Sequence, residues 1–355
     1  MSAAKAGYQC HVIDRFNDTD TAAASLSQFR VNTGDNHGLD TRHLSQLLEP
    51  FRKTPLAGIV TGSGLELNPA WLEDLSEDWP LLANAGNTLR ECKSPECFFA
   101  MLDEAGIAHP EISHSPVHSR DNWLQKRIAA AGGGHITPYK SGEPVMPQHY
   151  LQQRVEGRPF SIVFIADGRQ ANLAGISETR CRDVGGNDFR YRGAVGLGGM
   201  AGHLLTPFAG LATLITEKFR LRGLCGLDVI VTPSGDIKVL EVNPRPTATF
   251  PLHENRASLF EAHVRAFRGE LARLPKPGTF RAHEVIYNNS SGTMPQITWP
   301  DWVTDRTATG EQLVAGQPLC TVHAKAGSLV AVKKLLAERV KRFMDHAGSM
   351  ELEAA

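Results

Sequence analysis

The segment Asp228 to Pro246, DVIVTPSGDIKVLEVNPRP, limits what this chain can build more than any other stretch. Val229, Ile230 and Val231 predict a strand, Pro233-Ser234-Gly235-Asp236 a turn, and Ile237 to Val242 the returning strand. A turn centred between Ser234 and Gly235 sets Asp228 directly opposite Glu241. Asn243, two residues further on, then shares the face of Glu241. Carboxylates paired across strands repel, and each is driven toward protonation unless a cation lies between them. Asp, Glu and an Asn carbonyl are oxygen donors suited to Mg²⁺, with Mn²⁺ as a substitute. The bland alternative is two solvated carboxylates on an exposed face. Val239, Leu240 and Val242 argue against it, because they bury at least one face of the strand. One residue of slip in the turn would separate the pair.

Asn243-Pro244-Arg245-Pro246 ends the strand sharply. Two prolines prevent further ladder bonding and fix Arg245 in a rigid corner. A guanidinium just past a cation site suits phosphate or acyl-phosphate charge; a surface salt bridge is the plain alternative.

The remaining composition excludes several classes. The chain has 355 residues and a formal charge of −1, too long for one small core and too neutral for a nucleic-acid or anionic-membrane footprint. No apolar run approaches the roughly 20 residues of a membrane span. Met1 to Gly7 lacks a cationic region followed by an apolar stretch, so no secretory signal is expected. The six cysteines are scattered, the closest pair being Cys92 and Cys97. That is a poor zinc or disulfide pattern and implies reduced thiols in a cytoplasm.

Along the chain, Gln9 to Ile13 predicts a strand, Leu39 to Phe51 a helix, and Leu56 to Thr61 an apolar strand ended by Gly62-Ser63-Gly64. This is the grammar of an open α/β sheet, and the turn is either plain or substrate-lining. Such a lobe usually opens with a strand and a helix before Gly7, so the first unit is missing or the sheet order differs. Ser94-Pro95-Glu96 starts a helix that runs to Gly106. Leu124 to Ile128, Tyr150 to Val155 and Phe160 to Ile165 read as strands, and Gly132-Gly133-Gly134 as a glycine run. Arg180 to Met200, with Arg180, Arg182, Arg190 and Arg192, reads as a long loop, functional or disordered, with a solvated basic loop as the plain alternative. Helices are expected over Pro207 to Leu221, Asn255 to Leu274 and Gly327 to Ala347. Strands are expected over Glu284 to Tyr287 and Leu319 to Ala324.

The acid–strand–turn–strand–Glu-Val-Asn-Pro-Arg-Pro pattern resembles the metal-binding hairpin of the ATP-grasp superfamily. Other parts of that superfamily have counterparts in order over about residues 88 to 270. Lys93, before a capped helix, resembles the first phosphate-binding lysine; Lys126, in Trp123-Leu124-Gln125-Lys126, resembles the second. The run Ala131 to His135, with Gly133 and Gly134, resembles the flap whose backbone N–H groups cover phosphates. Gln152-Gln153-Arg154-Val155-Glu156-Gly157 resembles the adenine hinge. Val155 would meet the base through its backbone, and Gln152 or Gln153 its amino edge. The resemblance implies ATP and magnesium as cofactors, with Asp228, Glu241 and Asn243 as metal ligands.

The pattern also departs from that superfamily. Gln152-Gln153 stands where Glu-Lys is common. Pro159 stands near the usual ribose-binding acid, leaving Glu156 as its substitute. Gly226 stands where peptide ligases carry an arginine, so Arg245, Arg190 or Arg192 would supply that charge.

The resemblance implies an α/β fold of the α+β ATP-grasp type, with a two-lobed core. Its parts would be an N-terminal open α/β lobe over 1–88, the core over 89–275, and a small β-rich element with a terminal helix over 276–355. It implies a cytoplasmic ATP-dependent carbon–nitrogen ligase, compatible with a homodimer, that forms an acyl phosphate and passes it to an amine. Ile13-Asp14-Arg15-Phe16-Asn17-Asp18-Thr19-Asp20-Thr21 and Pro300-Asp301-Trp302-Val303-Thr304-Asp305-Arg306 further resemble proteins associated with one-carbon cofactor biosynthesis. The related tyramine–glutamate ligases of methanofuran synthesis imply glutamate as the carboxylate and tyramine or tyrosine as the amine. A purine-pathway type of carboxylase and a non-catalytic ATP-binding regulator are the alternatives.

Overall fold

A computed structural model of the chain describes residues 2–34, 38–119, 122–181, 188–254, 258–274, 279–346 and 352–353. Among these residues the centre is a nine-stranded antiparallel sheet. Its order is Ile237–Asn243, Arg222–Val231, Arg158–Asp167, Ala171–Cys181, Tyr191–Gly196, Phe280–Asn288, Pro318–Ala326 and Val303–Thr304, with Leu352–Glu353 beside Phe280–Asn288. The strand Arg158–Asp167 shows why its sequence is almost continuously apolar. Phe160, Ile162 and Phe164 pack with Phe208, Ala212 and Ile215 of the helix Gly202–Phe219. Val163 and Ile165 pack with Leu259, Ala262 and Ala266 of the helix Leu259–Phe267. Both faces of the strand are covered, so both sets of alternating side chains are apolar.

A smaller antiparallel sheet, ordered Ile112–Ser113, His149–Gln153, Trp123–Arg127, Ile136–Tyr139, forms the other wall of the cleft. The helix Pro95–Glu104 leads toward it. Ser94 Oγ accepts from Cys97 N at 3.2 Å at one end, and Gly106 takes the left-handed conformation (φ +65°) at the other.

The N-terminal part has two parallel strands, His11–Asp14 and Ser27–Arg30, with helices Thr41–Leu48, Pro69–Asp78 and Gly86–Lys93. Leu56 to Thr61 does not form the expected strand. Ile59 makes an isolated parallel bridge to Leu81, and a cavity of about 400 Å³ lies between it and His11–Asp14.

Other boundaries move for identifiable reasons. Most described residues of Arg180 to Met200 are strand: Arg180 and Cys181 close Ala171–Cys181, and Tyr191–Gly196 is the next strand. Arg182 lies outside the described residues. The glycines that read as loop permit close strand packing, since a Cβ on Gly193 would lie 2.2 Å from His283 O. The helix expected over Asn255 to Leu274 is Leu259–Phe267, with 255–257 outside the described residues. The C-terminal strands Phe280–Asn288 and Pro318–Ala326 extend the central sheet through pairing of the former with Tyr191–Gly196. The helix Leu329–His346 packs over them.

Candidate active site

The hairpin of Arg222–Val231 and Ile237–Asn243 brings Asp228 opposite Glu241 and Gly226 opposite Asn243. The route differs from the simple turn. Nearer the turn, Val229 pairs with Val239, so Leu240 is an extra residue. The ladder nearer the turn centres on Ser234, half a residue earlier than expected, with Gly235 N donating to Thr232 O at 2.9 Å. The bulge at Leu240 restores the register and the facing acids.

Around this pair the polar groups converge. Asn243 Nδ2 donates to Asp228 Oδ2 at 3.1 Å and reaches Glu241 Oε1 at 3.5 Å. Lys93 Nζ, at the end of the helix Gly86–Lys93, donates to Asn243 Oδ1 at 2.8 Å and to Glu241 Oε2 at 3.3 Å. Burial, then repulsion from Glu241, pushes Asp228 up to about 7; the hydroxyl of Ser161 opposes this. Burial would also raise Glu241, but Lys93, Lys126, His135 and Arg245 outweigh it and hold that carboxylate at about 2. Two facing acids are therefore split into one easily protonated and one held ionised, which is the conflict a cation relieves. Among the described residues no three His, Cys, Asp or Glu side chains cluster for a metal. Two carboxylates and an amide fit Mg²⁺, which commonly keeps water and phosphate oxygens for its other positions.

Lys126, on the strand Trp123–Arg127, is buried and donates to Gln152 Oε1 at 2.9 Å. Burial lowers its pKa, opposed by Glu241 and Asp228. Among the described residues, the buried Gln152 Nε2 has no hydrogen-bond acceptor and the buried His135 Nδ1 no partner. Buried polar atoms of this kind normally find partners, so both are available to the polar groups of a ligand. His135 was not singled out in the sequence; burial pushes it down to about 4. Gln153 is half-buried at the end of its strand, Val155 half-buried just beyond it, and Glu156 exposed. The space lined by Lys93, Lys126, His135, Tyr150, Leu240 and Glu241 is about 30 Å³, room for about one water.

The glycine run closes onto the central sheet. Gly132 and Gly133 both have φ +79°. Tyr191 N donates to Gly132 O at 3.1 Å, and a Cβ on Gly133 would lie 2.0 Å from Phe189 O. Phe189 in turn lies under the guanidinium of Arg154, 5.6 Å from the ring centroid. This flap contact was not visible in the sequence.

The arginines occupy three different settings. Arg190 pairs with Asp188 at 2.6 Å, donates to Gly316 O at 3.2 Å and lies 5.5 Å over the Tyr287 ring. It is a joint between segments rather than a solvated loop cation. Arg192 is 3% exposed on the strand Tyr191–Gly196. Arg245 forms a buried ion pair with Glu66 and reaches Asn243 Oδ1 at 3.4 Å, so the plain surface salt bridge is replaced by a buried one. Glu66 also accepts from Gly64 N at 2.7 Å. Burial would raise Glu66, but Arg245 and Lys93 hold it below the usual range. Its only sequence signal was its place two residues after Gly62-Ser63-Gly64.

A family model of the ATP-grasp domain matches residues 97–249. No curated protein matches the chain significantly. Solved structures match over nearly its whole length. The biotin carboxylase domain of Hydrogenobacter thermophilus 2-oxoglutarate carboxylase, solved as a dimer with MgADP, ADP and bicarbonate, is similar at 11% identity and a TM-score of 0.75. The match covers 99% of this chain and 87% of that one. The L-amino acid ligase of Bacillus licheniformis is similar at 12% identity and a TM-score of 0.70, over 96% and 93%. The N5-carboxyaminoimidazole ribonucleotide synthetase of Thermotoga maritima is similar at 14% identity and a TM-score of 0.63, over 100% and 95%. Residues 97–249 match the ATP-grasp domain model, and the chain has the ATP-grasp fold.

Proposed function

We propose that this protein is an ATP- and magnesium-dependent enzyme that activates a carboxylate as an acyl phosphate and couples it to an amine. The observation that carries this reading is the facing pair Asp228–Glu241, with Lys93 bonded to one acid and to Asn243. Asp228, Glu241 and Asn243 would hold Mg²⁺, which when bound supplies neutralising charge to the ATP phosphates. Lys93 and Lys126 lie on opposite walls and add positive charge where the γ-phosphoryl group would move. The Gln152 amide N–H is left to meet a ring acceptor of the base. The hinge over Gln152, Gln153, Val155 and Glu156 is assigned to adenine and ribose. Gly133 and Gly134, docked on Phe189 to Tyr191, exclude water that would hydrolyse an acyl phosphate. Arg245 sits next to Asn243 and would stabilise the transferred charge; Arg190 and Arg192 belong to the neighbouring wall.

For the substrates we propose glutamate as the carboxylate and an aromatic amine such as tyramine or tyrosine, in one-carbon cofactor biosynthesis. The sequence resemblance supports this. The second reading is carboxyphosphate formation from bicarbonate, favoured by similarity to a biotin carboxylase domain over 99% of the chain. ADP release measured with each substrate set separates them. Stimulation by glutamate plus amine, with the amide detected by mass, supports the ligase; stimulation by bicarbonate alone supports the carboxylase. No turnover with either, despite tight nucleotide binding, rejects both.

A further inference from the structure

Behind Asp228 the site continues across the sheet as a row of hydroxyls. Asp228 pairs with Ser161, and Ser161 pairs with Ser177, so the three side chains share one face. Ser161 is 3% exposed and Ser177 fully buried. Thr249, 2% exposed, lies over this face after the Asn-Pro-Arg-Pro corner. Its Oγ1 is 3.2 Å from Ser161 Oγ and 3.1 Å from Thr247 Oγ1. Alongside, Ser177 Oγ is 2.9 Å from His253 Nε2.

Serine is a costly choice in the strand Phe160-Ser161-Ile162-Val163-Phe164 unless its hydroxyl is bonded. Each hydroxyl carries one proton. Ser161 stands directly across from Asp228 on this face, and its hydroxyl favours the ionised form of that carboxylate, which only accepts, so the Ser161 proton is assigned to the acid. The proton between Ser161 and Thr249 therefore belongs to Thr249, and the next one to Thr247. The chain runs Thr247, Thr249, Ser161, Asp228, with every bond polarised toward the acid. Close packing fixes it: a Cβ on Gly226 would lie 2.4 Å from Thr247 Cγ2, and one on Gly175 would lie 2.0 Å from His253 Nδ1.

We propose that Ser161 and Thr249 are positioning residues for Asp228, holding its carboxylate in the orientation that takes up the divalent cation. This rests on the reading of Asp228 as a metal ligand. Mn²⁺ titrated in the presence of ADP, with free Mn²⁺ followed by electron paramagnetic resonance, tests it. Ser161→Ala and Thr249→Val are expected to weaken Mn²⁺ uptake about tenfold, the usual scale for groups that orient a metal ligand. Thr249→Ser, which keeps the hydroxyl, is expected to behave as the parent chain, and metal-free ADP affinity should be unchanged in all three. Parent-like Mn²⁺ uptake in Ser161→Ala and Thr249→Val overturns the proposal, as does Thr249→Ser matching Thr249→Val, which would show packing alone. Asp228→Asn leaving Mn²⁺ uptake intact, or a parent chain that takes up none, instead removes the metal reading beneath it.

Discussion

Lys93 and Glu241, 148 positions apart in sequence, meet at 3.3 Å, where the end of a helix meets the last strand of the hairpin. The same ammonium donates to Asn243 Oδ1 at 2.8 Å. Lys93 is thus the foremost of the cationic groups that keep Glu241 ionised beside Asp228. Lys93→Met is expected to lower ATP turnover by roughly 10²–10³, the scale for losing one preorganised charge-stabilising donor. Steady-state ADP release, with circular dichroism to confirm folding, measures this.

Asp228 gives a pH signature. Its folded pKa is raised to about 7, above the unfolded carboxylate value. The fold therefore loses stability as pH rises from about 4, the unfolded value, to about 7, and the loss levels off above that. In chelator at pH 8, Asp228→Asn should raise the melting temperature by about 2–4 °C, the shift for roughly 1 kcal/mol. The gain should be smaller at pH 5 and vanish below about 4, where the acid is protonated in the folded and the unfolded chain alike. Thermal melts at both pH values check the sign.

Glu66 and Arg245 form a buried pair across 179 positions. Removing one partner strands the other charge, at a cost of about 3–5 kcal/mol. Glu66→Ala should be strongly destabilised in urea denaturation. Glu66→Ala combined with Arg245→Met should be less destabilised than the sum of the single changes.

The flap separates two kinds of glycine. A Cβ on Gly133 meets Phe189 O at 2.0 Å, whereas one on Gly132 meets nothing within 4 Å. Both have φ +79°, so either alanine costs about 1–2 kcal/mol of backbone strain. Gly133→Ala alone should also prevent docking. Turnover should fall at least about tenfold further in Gly133→Ala than in Gly132→Ala, as a loss of more than 1.4 kcal/mol of closure energy implies. Comparing kcat/KM of the two variants checks this.

The parts legible in sequence were those set by local chemistry. Alternation and a turn identified the strands carrying Asp228 and Glu241, and Ser94-Pro95 marked the helix after Lys93. The Leu240 bulge was not legible, because a one-residue irregularity leaves no compositional trace. The strand Tyr191–Gly196 was read as loop because its glycine and alanine serve close strand packing, which depends on neighbours far along the chain. Glu66, His135 and Ser161 were missed for the same reason: each has meaning only through a tertiary partner.

Crystals grown with MnADP and measured at the manganese absorption edge address the metal assignment directly. An anomalous peak between the Asp228 and Glu241 carboxylates, absent from Glu241→Gln, is the predicted result. A peak elsewhere, with those two side chains still bonded through Asn243 as in the metal-free chain, would contradict it.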